Sequence, residues 1–499
     1  MMAFPILEVI ALAAVILFLL YYYFTSALQF WEKRGVKGPK PILFLGNFKD
    51  VFLGKVSIND CLVKVYNDFK DEPMVGIFGG HIPHLVLRDP DLIKDVLIKD
   101  FPNFVDRLVT PNKVERLSEH LFSLEAKRWR PLRACLSPIF TSGKLKEMFH
   151  LLVECGNHFE QYLIKLVKKG EDIPCREICS KYTTDVIGSC AFGIEMNALA
   201  AEDSEFRKMG RQIFQTNFKS VIKDRLREYP FLFNLIGPFF ADREVEDFFT
   251  RITNESINYR MQHNFKRHDF IDTLTELKKD SRKVSDEPLS EVFLAAQAFV
   301  FFAAGFETSS ITVTHALYEL AFNQSVQDKL RAEVKEVLQR HNGQITYEML
   351  KEMKYLDAVM NETLRKYPVV LWLSRTAMND YTFSNTKVTI PKGQHVIVPV
   401  EAIQMDPDIY PEPEVFDPNR FLDENVKDRH AMFYLPFGDG PRNCIGARFA
   451  KIQSKVAMIK IFSNFKVDVC DKTMKYNRDV KAFFLLQPTH EIYLKMTKI

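Results

Sequence analysis

The most constraining stretch is a helical pattern from about Leu289 to Asn323, whose centre, Phe299 to Phe306, is apolar on every face. Pro288 stands near its first turn, where a missing N–H costs nothing. At 1.5 Å per residue such a helix runs roughly 50 Å, enough to cross a large domain. Being apolar all round, it has to be enclosed by protein or by lipid. Gln297 and Glu307 keep the uninterrupted run under about 20 residues, which favours a protein core over a second membrane span. The centre then reads Ala304-Gly-Phe-Glu-Thr308. Glycine there costs about 1 kcal/mol relative to alanine, and a buried Glu needs a partner or a proton. Thr308 alone is explained by bonding back to the carbonyl four residues earlier. Taken together, Gly305, Glu307 and Thr308 suit a local groove, where Gly305 gives room and Thr308 with Glu307 organises water and protons.

A second stretch carries the chemistry. Of eight cysteines, Cys444 lies in a loop too rich in Gly and Pro for regular structure, and a helix-competent run from Ile445 to Ala450 follows. A sulfur at a helix N-terminus meets unpaired N–H groups and a dipole that favour thiolate. Gly438, Gly440 and Gly446 let backbone approach a flat partner. Phe437 can pack beside that partner and Arg442 can meet an anionic group on it. These features suit a haem better than zinc, which wants further Cys or His nearby. The sequence has no Cys-x-x-Cys pair and the other cysteines are scattered, so neither a zinc site nor a disulfide framework is indicated and a reducing compartment fits.

The string Phe437-x-x-Gly440-x-Arg442-x-Cys444-x-Gly446, with Gly438 and Ala450, resembles the haem-binding loop of the cytochrome P450 family. Ala304 to Thr308 is similar to that family's Ala-Gly-x-(Glu/Asp)-Thr. Glu362-Thr-Leu-Arg365 matches its Glu-x-x-Arg, and Arg420, in Phe416-Asp-Pro-Asn-Arg-Phe421, would complete a structural Glu–Arg–Arg network. The motifs follow in the family's order. Thr183 to Ile194 and Arg267 to Asp272 resemble insect microsomal members of the family-6 type.

The resemblance implies a mainly α fold, one large helical domain with a small β-rich part behind an N-terminal transmembrane helix. This overrides the length prior of roughly three domains for 499 residues. It also implies haem b with Cys444 as axial ligand, and contacts to the haem from Trp129, Arg133, Arg375, Phe437, Arg442 and Gly446. Leu121, Phe214, Phe301 and Phe302 fall in its variable substrate-contact regions, as do Ala303, Val370, Leu371 and Phe484. Electrons would come from NADPH through NADPH-cytochrome P450 reductase, with cytochrome b5 as a second donor, since nothing here resembles a nucleotide- or flavin-binding domain.

Residues 6–30 carry one charge, Glu8, and Val9 to Phe24 is continuously apolar, ending in three tyrosines. About 20 such residues span a bilayer, and Tyr fits its edge. No basic segment precedes the run, which argues against a cleaved signal. Lys33, Arg34, Lys37 and Lys40 follow, so the bulk of the chain should stay cytosolic. Residues 1–30 thus read as a membrane anchor, which the resemblance to microsomal members implies is in the endoplasmic reticulum. Residues 31–48 read as a basic, proline-stiffened hinge, and 49–499 as the catalytic domain. Tyr229 to Phe240 is uncharged and aromatic, too short to span, and suits a segment dipping into lipid. Lys127, Arg128 and Arg130 form a basic face for an acidic electron donor. A net charge of +3 gives no argument for nucleic acid.

Short strands are expected at Met74–Phe78 and His84–Arg88, at 388–390 and 396–399 joined by Pro391 to Gly393, and at 466–470 and 491–496. The activity implied is hydroxylation or epoxidation of lipophilic molecules, plant toxins, insecticides or hormones. A reductase-independent isomerase or dehydratase stands as one alternative, and a haem protein that binds ligands without turnover as another. The Glu307–Thr308 pair argues against the former, which needs no proton relay.

Overall fold

The computed structural model describes residues 3–200, 204–215, 217–227, 229–422, 427–482 and 485–499. In helix α1 (Ala3–Ala27), Val9, Leu12, Leu17 and Phe18 are among the exposed apolar side chains. Its end is nevertheless held. Phe24 meets Phe44 and His81 with ring centroids 4.8 and 5.2 Å apart, and Trp31, buried, donates Nε1–H to the Ile77 carbonyl at 3.1 Å. Gly38 lies so close to Gly76 that a Cβ would meet its carbonyl oxygen at 1.9 Å. The proline-stiffened stretch is therefore docked on the body.

The helical body comprises α2 (Ala126–Leu136), α3 (Phe149–Lys168), α4 (Cys175–Ile187), α5 (Glu205–Phe214) and α6 (Arg243–His263), then α7 (Glu291–Phe322). It continues through α8 (Gln324–Arg340), α9 (Lys354–Lys366) and α10 (Ala447–Phe462). Helix α3 shows the usual logic: Phe149, Leu152, Gly156, Phe159 and Leu163 recur at helical spacing and are the buried side. Helix α7 begins two residues later than its pattern suggested, because the Ser290 hydroxyl caps it by accepting the Phe293 N–H at 3.0 Å. Pro288 falls outside it. Helices α4, α6, α9 and α10 enclose α7, so its all-round apolarity is that of a core helix.

A four-stranded sheet, ordered β1 (Met74–Gly79), β2 (Ile82–Leu87), β7 (His395–Val398), β4 (Leu373–Thr376), flanks the body. Strands β3 (Ile173–Pro174), β9 (Tyr493–Lys498) and β8 (Phe465–Asp468) form a second sheet. Strand β6 (Thr389–Ile390) pairs with β5 (Tyr381–Thr382) and not with β7. The turn at Pro391–Gly393 thus passes the chain between sheets and closes no hairpin.

Two stretches that served only for classification meet in space. Arg260 Nη2 donates to the Phe192 carbonyl at 3.2 Å and pairs with Asp269 and Asp272, while Arg267 donates to the Ser189 carbonyl at 3.1 Å.

Candidate active site

The loop carrying Cys444 is closed by its own N–H, which donates to the Phe437 carbonyl at 2.9 Å. Gly440 takes φ +75°, and a Cβ there would lie 1.8 Å from the Leu97 carbonyl oxygen, so the loop is pinned at a position only glycine can fill. Helix α10 starts at Ala447, three residues beyond the cysteine. The Cys444 side chain is reachable by a water-sized molecule yet surrounded as an interior group is, which describes a recess. Burial raises its thiol above the ordinary value. The Gly446 N–H, Arg133 and Arg107 pull the other way without prevailing. The N–H at the helix terminus therefore acts toward the thiolate as expected, and burial outweighs it.

Four guanidiniums converge beside this recess. Burial and the neighbouring Arg442 lower Arg375 to about 9. Burial lowers Arg442 to about 10 with Asp106 opposing, and holds Arg107 well below its ordinary value. Asp106, 3.7 Å from Arg442, is the carboxylate in ion-pair range of these four among the described residues. Arg442 spends its Nη groups on the carbonyls of Val105, Leu124 and Phe122, and its guanidinium lies 4.8 Å from the Trp129 ring centroid. Arg107 bonds the carbonyls of Phe122 and Arg442. Arg133 grips Asn443, beside the cysteine, by its carbonyl and its Oδ1, both at 3.0 Å. The Nε atoms of Arg375 and Arg442 are buried without a partner.

Helix α7 turns two different sides to this region. Ala304 is exposed and Thr308 half-buried on the open side. A small recess touches Thr308, Phe437 and Ala450, so the helix and the cysteine loop share a wall. Thr308 Oγ1 donates to the Ala304 carbonyl at 2.7 Å. Glu307 is buried and accepts from Arg176 Nη2 of α4 at 2.8 Å. Gly305 does not open the groove. A Cβ there would meet Ile187 Cδ1 at 2.6 Å, so this glycine lets α4 and α7 approach each other. Its carbonyl accepts from Gln453 of α10 at 3.0 Å. The room expected of Gly305 is at Ala304 instead.

Beneath the cysteine loop, Glu362 and Arg365 are fully buried and doubly bonded at 2.7 and 2.8 Å. Arg420 approaches Glu362 at 3.6 Å, and the Asp417 N–H donates to it at 3.0 Å. Arg365 also reaches the carbonyls of Gln404 and Pro413, and Gln404 accepts the Leu435 N–H. The cluster joins α9 to the segment that leads into the cysteine loop.

A cavity of about 1740 Å³ extends from Arg107 and Asp106 past Glu307 and Phe299 toward Phe48 and Phe233. Over residues 36–496 the chain matches the family model described as Cytochrome P450. The chain belongs to the cytochrome P450 family. Cytochrome P450 6a2 of Drosophila melanogaster is 40% identical, covering 96% of this chain and 97% of its own length. Cytochrome P450 6B1 of Papilio polyxenes is 40% identical over 99% of this chain and 100% of its own. Cytochrome P450 6A1 of Musca domestica is 40% identical over 96% and 95%. The chain is accordingly a monooxygenase that works with haem b.

The P450 cofactor fits what is present. Buried guanidiniums short of negative charge, with orphaned Nε–H donors, suit the two carboxylates of a haem, and an accessible sulfur in a recess suits its iron. Trp129 serves as a platform for the Arg442 cation. Arg107 and Arg176 escaped the sequence reading because their partners, Arg442 and Glu307, lie 335 and 131 residues away.

The substrate-contact expectations fare differently. Phe214 lines the cavity and packs on Phe306. Phe301 stacks on Phe270 at 4.1 Å, and Phe302 packs among Phe192, Phe206, Phe249 and Phe306; both are interior. Leu371 is in the core, Leu121 and Ala303 are buried, and Val370 bridges to Leu485. Helix α7 presents Phe299 and Glu307 to the cavity, whereas Phe301 and Phe302 stand on other faces of the helix. Phe484 lies outside the described residues. In the basic face, Arg128 is taken up by Glu125 and Glu119 at 2.7 and 3.1 Å, leaving Lys127 and Arg130 exposed.

Proposed function

We propose that this P450 is an NADPH- and O2-dependent monooxygenase of lipophilic small molecules, xenobiotics such as plant toxins or insecticides above all, with electrons delivered by NADPH-cytochrome P450 reductase. The observation that carries this reading is the Cys444 recess rimmed by guanidiniums lacking anionic partners and walled by Thr308. When bound there, a thiolate-ligated haem supplies the oxygen activation. Cys444 holds the iron, Arg375 and Arg442 offer Nε–H to the carboxylates, and Arg133 fixes the loop through Asn443. Because the Thr308 hydroxyl proton is committed to Ala304, its oxygen faces a ligand as an acceptor and holds a water or a proton donor in place. Glu307, tied to the partly exposed Arg176 beside the cavity, moves protons inward from solvent.

Residues 1–30 serve as the anchor in the endoplasmic reticulum membrane, 31–48 as the docked connection, and 49–499 as the cytosol-facing catalytic domain. Membrane contact is supported by Phe231, Leu235 and Phe239, exposed by 79%, 63% and 81%. Gly80 stands between Phe44 and Tyr229, which puts the anchor exit and this aromatic segment on one face. The cavity reaches Phe48 and Phe240 below that face, so a lipophile can enter from lipid.

The test is the carbon monoxide difference spectrum of the dithionite-reduced protein, wild type against Cys444→His, followed by NADPH consumption with reductase. A strongly red-shifted Soret band that the variant loses, together with product formed from a lipophilic substrate, is the expected outcome. A stable haem protein without that band refutes thiolate ligation.

A further inference from the structure

Three side chains stand in one row across the four-stranded sheet. His84 of β2 is in register with His395 of β7, and His395 with Thr376 of β4. The two imidazoles stack, with centroids 5.4 Å apart and planes 22° from parallel. All three residues line the large cavity. His395 Nδ1 is 3.2 Å from Thr376 Oγ1, whereas His84 Nδ1 is buried and has no hydrogen-bond partner. Among the described residues no carboxylate pairs with either ring. Burial lowers both, His84 to about 3, so the rings are neutral at physiological pH. Each neutral ring keeps one N–H donor and one lone pair. Ile82 and Ile397 stand two residues along the same two strands, and Ile397 clusters with Trp372 and Leu62; all four line the cavity as well. A buried polar nitrogen left without a partner is costly, and no packing requirement explains it where an apolar ring would fill the space.

We infer that His84 and His395 are specificity-determining residues, a polar clasp that binds a hydroxyl or carbonyl oxygen of an otherwise lipophilic ligand. His84 supplies the unmatched hydrogen-bonding group, and His395, oriented by Thr376, flanks it. Ligands carrying one oxygen at an edge are preferred over their hydrocarbon counterparts, because only they satisfy the clasp while the rest of the molecule stays on apolar surface. The inference rests on the monooxygenase reading only in that the same cavity receives the substrate.

The experiment is equilibrium dialysis of the haem-loaded full chain with 2-naphthol and with 2-methylnaphthalene, which differ by a hydroxyl in place of a methyl group. The ratio of the two dissociation constants is compared between wild type and His84→Phe, His395→Phe and His84→Gln. Comparing ratios cancels the different costs of taking the two compounds from water. The expected result is a hydroxyl preference that falls about tenfold in each Phe variant, with 2-methylnaphthalene affinity retained and the preference largely kept in His84→Gln. An unchanged ratio in the Phe variants overturns the clasp, and so does an equal loss of both ligands. The carbon monoxide spectrum, recorded on each sample, reports separately on haem-thiolate ligation, so failure of the clasp and failure of the enzyme reading are told apart.

Discussion

Arg176 reaches from α4 to Glu307 of α7, its Nη2 donating to Oε1 at 2.8 Å, while its backbone N–H donates to Glu491 at 2.8 Å. The carboxylate is 3% exposed and the guanidinium 27%. One residue therefore fixes the position of the carboxylate proposed to move protons, and also links α4 to the segment that leads into β9.

Arg176→Ala leaves that carboxylate without its cation. Loss of a hydrogen bond to a charged group costs about 1.5–3 kcal/mol, read as a lower denaturant midpoint. Glu307→Gln, which keeps the shape, should keep the carbon monoxide band and lose at least tenfold in turnover, as expected of a missing proton donor. Turnover unchanged in Glu307→Gln would remove Glu307 from the proton path.

The Glu362–Arg365 pair has no water to fall back on, since both side chains are fully buried. Removing one partner of such a pair costs about 3–5 kcal/mol. Glu362→Ala and Arg365→Ala should therefore yield little folded, haem-containing protein. Arg420→Ala, whose partner stands 3.6 Å off, should be milder. Soluble yield and haem per chain measure the order.

Arg375 makes a prediction that depends on the cofactor. Its lowered value, about 9, means that burial works against its charge. Because a guanidinium stays protonated, its buried charge destabilises the native chain until a counter-ion meets it. An anion placed against it reverses that. Arg375→Met should raise the melting temperature of the haem-free protein and lower that of the haem-bound one. A change of the same sign in both forms would mean that Arg375 meets no haem carboxylate.

Buried histidines govern the acid limb. Burial lowers His84 to about 3, and His120 and His315 to about 4. Each lies below the ordinary value of 6.5, so its contribution is full above about pH 6.5 and is lost as pH falls toward those values. Unfolding between pH 6.5 and 4 should then take up about three protons from these groups. His315 Nε2 has no partner. His315→Phe should make the dependence of stability on pH shallower by about one proton, measured as urea midpoints at several pH values.

Much of this was legible in the chain because it was local. The period of α7, the glycines and cysteine of the loop and the Glu362–Arg365 spacing each carry their meaning within a few residues. Contacts across long sequence separations were not. Arg107 lies 335 residues from the Arg442 carbonyl it bonds, and nothing near it in sequence marks that meeting. Phe301 and Phe302 were misplaced for a related reason. On a helix enclosed on all sides apolar residues point everywhere, and only the positions of α4 and α6 decide that Phe299 meets the cavity. Gly305 was read as space for a ligand because the chain cannot show that Ile187 fills it.

The two loop glycines separate folding from cofactor binding. At Gly440 a Cβ would collide with the Leu97 carbonyl at 1.8 Å on a backbone of φ +75°, so Gly440→Ala should fail to fold whether or not haem is supplied. At Gly446 φ is −92° and a Cβ would meet nothing nearer than Phe140 at 3.8 Å. The protein itself therefore gives no reason to exclude a side chain there. If the glycine is present so that backbone can lie against a flat cofactor, Gly446→Ala should fold with a normal circular dichroism spectrum and still bind haem more weakly. Haem titration of the refolded chain measures this. Unchanged haem affinity would mean that position 446 does not lie against the porphyrin, and would move the cofactor's contact surface to the Phe437 side of the loop.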